Sequence, residues 1–476
     1  QVNWEQLLST KRSRGSSGKN RYGKNTDLRS EFEKDYHRII GSASFRRLQD
    51  KTQGFPLDKS DFIRTRLTHS LEVSSFAKSL GQNIGENILV YKKDPSFTPR
   101  MKEDICSILQ CAGLIHDIGN PPFGHFGESA IREWFERNLP RMEFHGVTVD
   151  KALTPQMRED FYHFEGNAQA LRLVTKLHFL VDENGMNLTY ALLNTIVKYP
   201  VPSTGINEKS GDIKDKKMGY YFADEEIFEE IAAETGTNGR RHPLTFILEA
   251  ADDIAYKTAD IEDAFIKGFI SYHKLLEELT ALQERYPDEE MGSFRPADKL
   301  EQLYARGREM QVQKPEEYAI KNWIIKVQGF LINCATYGFT SHYNEIMEGG
   351  YRHDLFQGTF AEKLMDLLGS MAFEEVFLTE TIYRMEVAEA AMIDFLMDKF
   401  MKAIVYYDDE TRKLDSIGER MVSFISSNYK KAYHYHAEGK SEVEKLYLRL
   451  LLVTDYICGM TDSYAKRLYQ ELKAII

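Results

Sequence analysis

The stretch ICSILQCAGLIHDIGNPPFGHFGESAI, residues 105–131, predicts two helices separated by a turn that carries chemically active side chains. Up to Ile115, apolar residues recur at three- and four-residue spacing, which is the pattern of a buried amphipathic helix. The proline pair in the middle of the stretch prevents that helix from continuing, because proline has no backbone N–H to donate. The sequence therefore places His116 and Asp117 at the carboxyl end of an apolar helix.

The same helical spacing recurs on both sides of this stretch, for example in residues 70–89 and 444–460. Alternating strand patterns are short and few, so the predicted fold class is mainly α. We expect three parts: a flexible basic amino-terminal arm over residues 1–30, a core over residues 31–270, and a helical carboxyl-terminal region over residues 271–476.

Composition limits the classes of protein to consider. The 476 residues are 42% hydrophobic and 28% charged, which is ordinary for globular proteins. A formal net charge of -12 argues against binding nucleic acid over the whole surface. Four scattered cysteines and no run of about 18 apolar residues predict a cytoplasmic protein that does not enter a membrane.

Two polar segments stand apart from the helical pattern. Residues 11–24 contain six Lys or Arg and no acid, which is typical of a solvated arm and also of an arm that attracts anions. Residues 200–222 form a long polar loop, and loops of this length are usually disordered or act as lids.

Four side chains are predicted to form a divalent-metal site. Imidazole and carboxylate groups such as those of His116 and Asp117 are good ligands for divalent cations. His69 lies on the apolar face of a predicted helix, and Asp252 interrupts another apolar helix, where a carboxylate is costly unless a positive charge compensates it. The alternatives are buried histidines that only satisfy hydrogen bonds, and a helix whose acids all face solvent.

The ordered set of these ligands resembles the HD superfamily of metal-dependent phosphohydrolases. Six segments resemble, in addition, the deoxyguanosine triphosphate triphosphohydrolase family, and together they span nearly the whole chain. They are FRRLQDKTQGFP (45–56), RTRLTHSLEV (64–73), HDIGNPPFGHFGE (116–128), FEGNAQALRL (164–173), EAADDIAY (249–256) and CGMTDSYA (458–465). The resemblance implies an HD-domain helical core with additional carboxyl-terminal helices. It also implies a divalent metal cation, for which a set of two His and two Asp leaves Mg, Mn, Fe, Ni and Zn open.

The family's reaction, as the resemblance implies it, converts a dNTP and water into a deoxynucleoside and inorganic triphosphate. dGTP is the substrate expected from resemblance. His125 and Glu128 lie three residues apart at the start of a predicted helix, so they share one face, and the resemblance gives this pair catalytic roles. The alternative is that Glu128 only stabilises the amino-terminal end of the helix while His125 packs.

Substrate contacts are also expected from the resemblance. The expected residues are Gln53, Arg66, His163, Lys198, Tyr199, Lys217, Tyr256 and Asp260. Tyr256 and Asp260 follow Asp252 by four and eight residues and therefore share its helix face, where they could select deoxyribose. The alternative for Tyr256 is a core aromatic residue.

Partners follow from the same resemblance. The chain is expected to form a homo-oligomer, such as a hexamer, with residues 271–476 contributing to the oligomer and to the site. Single-stranded DNA or a dNTP could act as an effector. The candidates for a basic residue that reaches a neighbour's site are Arg420, Lys430 and Lys431.

Two other functions fit parts of the sequence. One is a different HD-family nucleotide phosphohydrolase or phosphodiesterase, which would share the metal ligands without needing His125, Glu128, Tyr256 and Asp260 at their spacing. The other is a non-catalytic nucleic-acid or nucleotide sensor with a structural metal, which the net charge disfavours.

Overall fold

A computed structural model describes residues 2–14, 27–51, 64–177, 185–292 and 294–474. In order along the chain, the helices of the first half are α1 (Trp4–Leu7), α2 (Glu31–Ile40), α3 (Ala43–Arg47), α4 (Arg66–Asn87), α5 (Pro99–Ile115), α6 (Gly124–Asn138), α7 (Val149–Ala152), α8 (Pro155–Tyr162), α9 (Gly166–Arg172), α10 (Tyr190–Thr195), α11 (Glu225–Thr235) and α12 (Pro243–Ile266). Those of the second half are α13 (Tyr272–Glu284), α14 (Asp288–Met291), α15 (Pro296–Glu309), α16 (Pro315–Ser341), α17 (Tyr343–Glu348), α18 (Phe360–Ala372), α19 (Glu380–Ile404), α20 (Ser416–Phe424), α21 (Ser427–Ala437), α22 (Glu442–Cys458) and α23 (Asp462–Leu472).

Within the described residues, the sheet content is one antiparallel ribbon of β1 (Glu143–Phe144) and β2 (Val147–Thr148). The prediction of a mainly α fold is therefore confirmed.

Side-chain caps stabilise the first turns of the helices that carry the candidate site. The Thr65 and Thr98 side chains accept backbone N–H groups at the starts of α4 and α5, and the His242 ring accepts one at the start of α12. Such caps satisfy donors that have no partner within the helix. Proline at the first position of α5 and of α12 has the backbone angle that a helix needs.

The centre of the molecule is formed by α4, α5 and α12, which pack against one another, with α16 covering α4 and α12. The approach of α4 to α5 is close: a Cβ atom at position 113 would lie 2.5 Å from the Cα atom of Ser74. Glycine at 113 is therefore required for this approach. Because the three central helices bury their apolar faces together, the polar residues at the start of α4, at the end of α5 and in the middle of α12 are brought into one region.

The amino-terminal segment differs from its prediction. Trp4 is fully buried, and its indole N–H donates to the Tyr343 hydroxyl. Arg12 is also buried and forms an ion pair of 2.6 Å with Asp35. Residues 2–14 therefore pack against the rest of the chain, and the prediction of a flexible arm is wrong for them; residues 15–26 lie outside the described residues. The boundary near residue 270 stays a prediction.

The loop at residues 200–222 consists of short 3₁₀ turns that are anchored to the body of the protein. The Ser203 hydroxyl donates to one oxygen of Asp160 at 2.6 Å, and the Phe222 N–H donates to the other at 2.8 Å. Among the described helices, none is long and apolar enough to cross a membrane.

One buried carboxyl in α19 has no hydrogen-bond donor beside it among the described residues. Glu389 is fully buried, and neither of its side-chain oxygens has a hydrogen-bond partner within the described residues. Burial, together with Asp462 and Glu386 nearby, raises the pKa of Glu389 to about 9. Because the folded state then binds more protons than the unfolded state, the free energy of unfolding falls as the pH rises from about 4.5 to about 9.

Replacing Glu389 with methionine is expected to raise the free energy of unfolding at pH 8 by about 1–3 kcal/mol, the usual cost of an unsatisfied buried polar group. Denaturant unfolding at pH 5 and pH 8 measures the change, and the gain should be smaller at pH 5, where the wild-type carboxyl is protonated. Glu380→Met is the matched control, because it alters an exposed carboxylate of the same helix that pairs with Arg384. Equal gains at the two pH values would count against this account.

Candidate metal centre and active-site pocket

Three ligand groups from three helices meet in one cluster. His69, His116 and Asp252 each offer one ligand atom, and these atoms lie within 4.8 Å of one another. Asp252 Oδ1 lies 3.1 Å from His69 Nε2 and 3.4 Å from His116 Nε2. Asp117 lies beside the cluster, with its Oδ2 atom 3.3 Å from His116 Nε2 and 3.7 Å from His69 Nε2. The four predicted ligands are thus brought together.

The helices fix the orientation of these groups. His69 lies in the first turn of α4, His116 directly follows α5, and Asp252 lies in the middle of α12. His116 Nδ1 is 2.7 Å from the Gly113 carbonyl oxygen. This nitrogen therefore carries the proton that is donated to the carbonyl, and in the neutral ring Nε2 keeps its lone pair toward the cluster, as in many metal sites.

The cluster fits a metal cation. His116 Nε2 and His69 Nδ1 are buried and have no hydrogen-bond partner within the described part of the chain. An imidazole nitrogen without a partner is costly in the interior, and a metal would satisfy His116 Nε2 directly. Two carboxylates next to two imidazoles are a suitable donor set for a first-row divalent metal.

Charge coupling within the cluster is strong. Burial lowers the pKa of His116, but Asp117 and Asp252 outweigh burial and raise this pKa well above its usual value. Burial conversely raises the pKa of Asp252, but the two histidines outweigh it and lower that pKa well below its usual value. The carboxylates therefore hold negative charge that either protons or a metal cation can balance.

The cluster lies on the wall of a cavity of about 280 Å³. The residues that line it are Arg66, His69, His116, Asp117, Asn120, His125, Glu128, Glu165, Asn167, Ile196, Lys198, Tyr199, Lys217, Thr245, Leu248, Glu249, Asp252, Asp253 and Tyr256. Most of the site residues predicted from the sequence are in this set.

An imidazole and a carboxylate stand at the start of α6, on the cavity wall. His125 Nδ1 lies 3.9 Å from Glu128 Oε1, and the side chain of His125 is 89% exposed while that of Glu128 is 5% exposed. Glu128 is held by Arg132, which donates to Oε1 at 2.8 Å, and by the Gly166 N–H, which donates to Oε2 at 3.1 Å. The carboxylate is therefore fixed in place, and the imidazole next to it is open to the cavity.

The basic side chains of the cavity are partly engaged with acids. Lys198 Nζ lies 3.6 Å from Glu249, and Lys217 Nζ lies 3.7 Å from Glu165. Burial, together with Glu128, raises the pKa of Glu165 to about 7. Arg66 is buried, with Nη1 3.4 Å from Asp117 Oδ2, and its Nε atom has no hydrogen-bond partner among the described residues.

Two predicted contacts lie off the cavity wall, and a third falls outside the described residues. His163 is not part of the cavity wall, and its Nε2 atom is 3.1 Å from Glu159. Asp260 is one turn beyond Tyr256 of the wall along α12, and burial together with Asp263 raises its pKa to about 7. Gln53 lies outside the described residues. Their contacts with a substrate stay predictions.

Tyr256 is 38% exposed on the cavity wall, which excludes the alternative of a core aromatic residue. The ring can therefore contact a ligand in the cavity. A ring in such a position presents both an apolar face and a hydroxyl group.

Several wall residues were missed by reasoning from the sequence. Asn120, Glu165 and Asn167 lie within segments quoted for the family resemblance, so their motifs were a usable signal. Glu249 and Asp253 flank Asp252 in an apolar helix, and the cost of burying any such acid was the signal there. Thr245 and Leu248 have no distinguishing signal in the sequence.

Comparison with known proteins agrees with this geometry. A family model described as HD domain matches residues 66–301, a range that contains all four predicted ligands. A deoxyguanosinetriphosphate triphosphohydrolase-like protein of Listeria innocua is 48% identical over 476 residues, which is 100% of both chains. A deoxyguanosinetriphosphate triphosphohydrolase of Yersinia pseudotuberculosis is 32% identical over 524 aligned positions and 99% of both chains.

The helical core and the match to the HD domain identify the protein as a hydrolase of the HD superfamily. Within that superfamily, the chain belongs to the deoxyguanosinetriphosphate triphosphohydrolase family. The recognition made from the six segments is thereby confirmed.

Proposed function

We propose that the protein is a dNTP triphosphohydrolase that hydrolyses dGTP at the α-phosphorus to deoxyguanosine and inorganic triphosphate. The observation that carries the proposal is one cavity whose wall holds the candidate metal ligands, the His125–Glu128 pair and Tyr256 together. The names of the relatives from Listeria innocua and Yersinia pseudotuberculosis support the choice of substrate.

The proposed roles of the residues follow from their positions. His69, His116, Asp117 and Asp252 would hold a divalent metal, which when bound lowers the pKa of a water molecule and polarises a phosphate oxygen. His125 would transfer a proton to or from the reacting oxygen, because its ring is exposed to the cavity. Glu128 would orient that ring and is itself held in place by its own donors Arg132 and Gly166.

Selection of the deoxyribose is proposed to depend on Tyr256. Its partly exposed ring could lie against the sugar, and a 2′-hydroxyl group would then lack both space and a hydrogen-bond partner. Asp260, one turn further along α12, and Gln53 are proposed to read the 3′-hydroxyl.

The charge of the cavity bears on how a triphosphate is held. Its wall carries more acids than lysines and arginines: the acids are Asp117, Glu128, Glu165, Glu249, Asp252 and Asp253, and the cations are Arg66, Lys198 and Lys217. A triphosphate therefore needs further positive charge, from metal ions or from a neighbouring subunit. This supports the proposal of a homo-oligomer in which Arg420, Lys430 or Lys431 reaches a neighbour's site.

The decisive experiment is a product assay. The purified chain is incubated with each of the four dNTPs and with GTP, in the presence of Mn²⁺ or Mg²⁺, and the products are separated by ion-exchange chromatography. The proposal expects inorganic triphosphate and deoxyguanosine in equal amounts from dGTP, with slower release from GTP. Pyrophosphate or monophosphate as the product would instead favour another HD-family phosphohydrolase.

Base preference and regulation need separate arms of the same assay. Each dNTP is tested alone and with a second dNTP or single-stranded DNA, since both are proposed effectors. Failure of every nucleotide to turn over with every metal would contradict the proposed activity and leave a nucleotide sensor as the alternative.

A further inference from the structure

The segment CGMTDSYA, residues 458–465, contributes no side chain to the wall of the active-site cavity. It nevertheless contacts the turn that separates the metal ligands from the acid/base pair. Asp462 Oδ1 accepts a hydrogen bond of 3.0 Å from the backbone N–H of Phe123. Both residues are buried, so water does not compete for this N–H.

The backbone at Phe123 requires such support. Its φ angle is 67°, in the left-handed region, and Gly124 follows with a φ angle of 61°. A non-glycine residue in this conformation is strained and persists only where surrounding contacts hold it. Phe123 is also the residue from which α6 begins, and no side chain near it in sequence caps the helix. Asp462 therefore fixes the start of the helix that carries His125.

The other end of the turn is held by a buried lysine. Lys51 is 3% exposed, and its Nζ atom donates to the carbonyl oxygens of Asn120 and Cys458, each at 2.9 Å. The backbone carbonyl of Lys51 accepts the Arg66 N–H at 2.8 Å, at the beginning of α4. One residue thus connects the segment at 458–465, the turn after Asp117, and the helix that carries His69.

These contacts lie at both ends of a four-residue turn. Two of the candidate metal ligands, His116 and Asp117, precede the turn, and His125 follows it by two residues. The distance between the metal and the imidazole therefore depends on the conformation of residues 120–123. A displacement of such a group by 1 Å is enough to slow catalysis about 100-fold.

We infer that Asp462 and Lys51 are positioning residues for the hydrolysis, which hold the turn at residues 120–123 so that His125 faces the metal cluster. The inference rests on the proposed function for its effect on rate. Its structural part, the support of the turn, can be measured without any activity.

The test compares two replacements of Asp462. Asp462→Ala removes the acceptor and is expected to lower kcat about 100-fold while KM stays within about threefold of the wild-type value. Bound metal per chain should be unchanged, and hydrogen–deuterium exchange of residues 121–128 should become faster. Asp462→Asn keeps an acceptor oxygen at the same position and is expected to restore most of kcat and of the slow exchange.

Ser463→Ala is the matched control, because it removes an exposed hydrogen bond from the same helix start to Asp50. It should leave kcat and the exchange of residues 121–128 at wild-type values. If Asp462→Ala does not yield folded protein, Asp462→Ser replaces it. The serine side chain is too short for its hydroxyl to reach the backbone N–H of Phe123.

The outcomes separate the two proposals. A wild-type chain that releases no triphosphate refutes the proposed function, while the exchange measurement still decides whether Asp462 supports the turn. Unchanged exchange and kcat in Asp462→Ala would overturn the positioning role. So would an Asp462→Asn variant that is as slow as Asp462→Ala, because the acceptor oxygen would then not be the cause.

Discussion

Replacing Asp252 with alanine is expected to remove bound metal and to lower kcat roughly 10³–10⁵-fold, which corresponds to the several kcal/mol of charge stabilisation that a catalytic metal supplies. Asp252 lies beside both imidazoles, with its Oδ1 atom 3.1 Å from His69 Nε2 and 3.4 Å from His116 Nε2. Its loss therefore removes a carboxylate that both imidazoles share. Metal per chain is measured by mass spectrometry after dialysis, alongside kcat for triphosphate release.

Two further variants test whether the loss of activity is specific to the metal site. His116→Ala should be as slow as Asp252→Ala, because both remove the same metal and their effects on a single unit are not additive. Glu262→Gln is the control, since Glu262 lies on the same helix but pairs with Arg64 away from the cavity wall. An Asp252→Ala chain that keeps both its metal and its kcat would remove the basis of the proposed metal site.

Replacing His125 with glutamine is expected to lower kcat about 10²–10⁴-fold, the usual contribution of a positioned acid or base, while bound metal remains at its wild-type level. Glutamine retains polarity and length but cannot exchange a proton near neutral pH. The side chain of His125 is open to the cavity and lies beside Glu128, which is fixed by two donors. A loss of activity without a loss of metal separates this role from that of the ligands.

The control for His125 is His273→Gln, which alters an exposed histidine of α13 outside the cavity wall. It should leave kcat unchanged. A His125→Gln variant with wild-type kcat would assign proton transfer to another group. Glu165 would then be the first group to test, because its carboxyl lies on the same wall.

Local patterns in the sequence were sufficient for the parts of the site that lie on single helices. Apolar periodicity placed His116 at the end of one helix and Asp252 within another, and both positions are confirmed. The cost of burying a carboxylate then predicted that these helices share a cation. The six quoted segments added the family and, through it, the expected substrate.

Contacts between distant parts of the chain could not be predicted from such patterns. Asp462 meets Phe123 across 339 residues, and Trp4 meets Tyr343 across the same separation. Neither pair leaves a periodic signal, because each depends on how whole helices pack. The direction of a side chain at a helix end also cannot be read from the sequence. His163 directly follows α8, and its ring lies beside Glu159 rather than on the cavity wall.

The burial of Trp4 has a consequence for how the molecule can open. The indole contacts α17 in the second half of the chain, while Arg12, a few residues later, pairs with Asp35 in the first half. The amino-terminal segment thus links both halves, and α16 from the second half packs on the central helices of the first. An interdomain hinge at residue 270 would have to break the contact of Trp4 with Tyr343 and the packing of α16 on the central helices. We therefore expect a nucleotide to enter through local movement of the cavity rim, with the two halves remaining together.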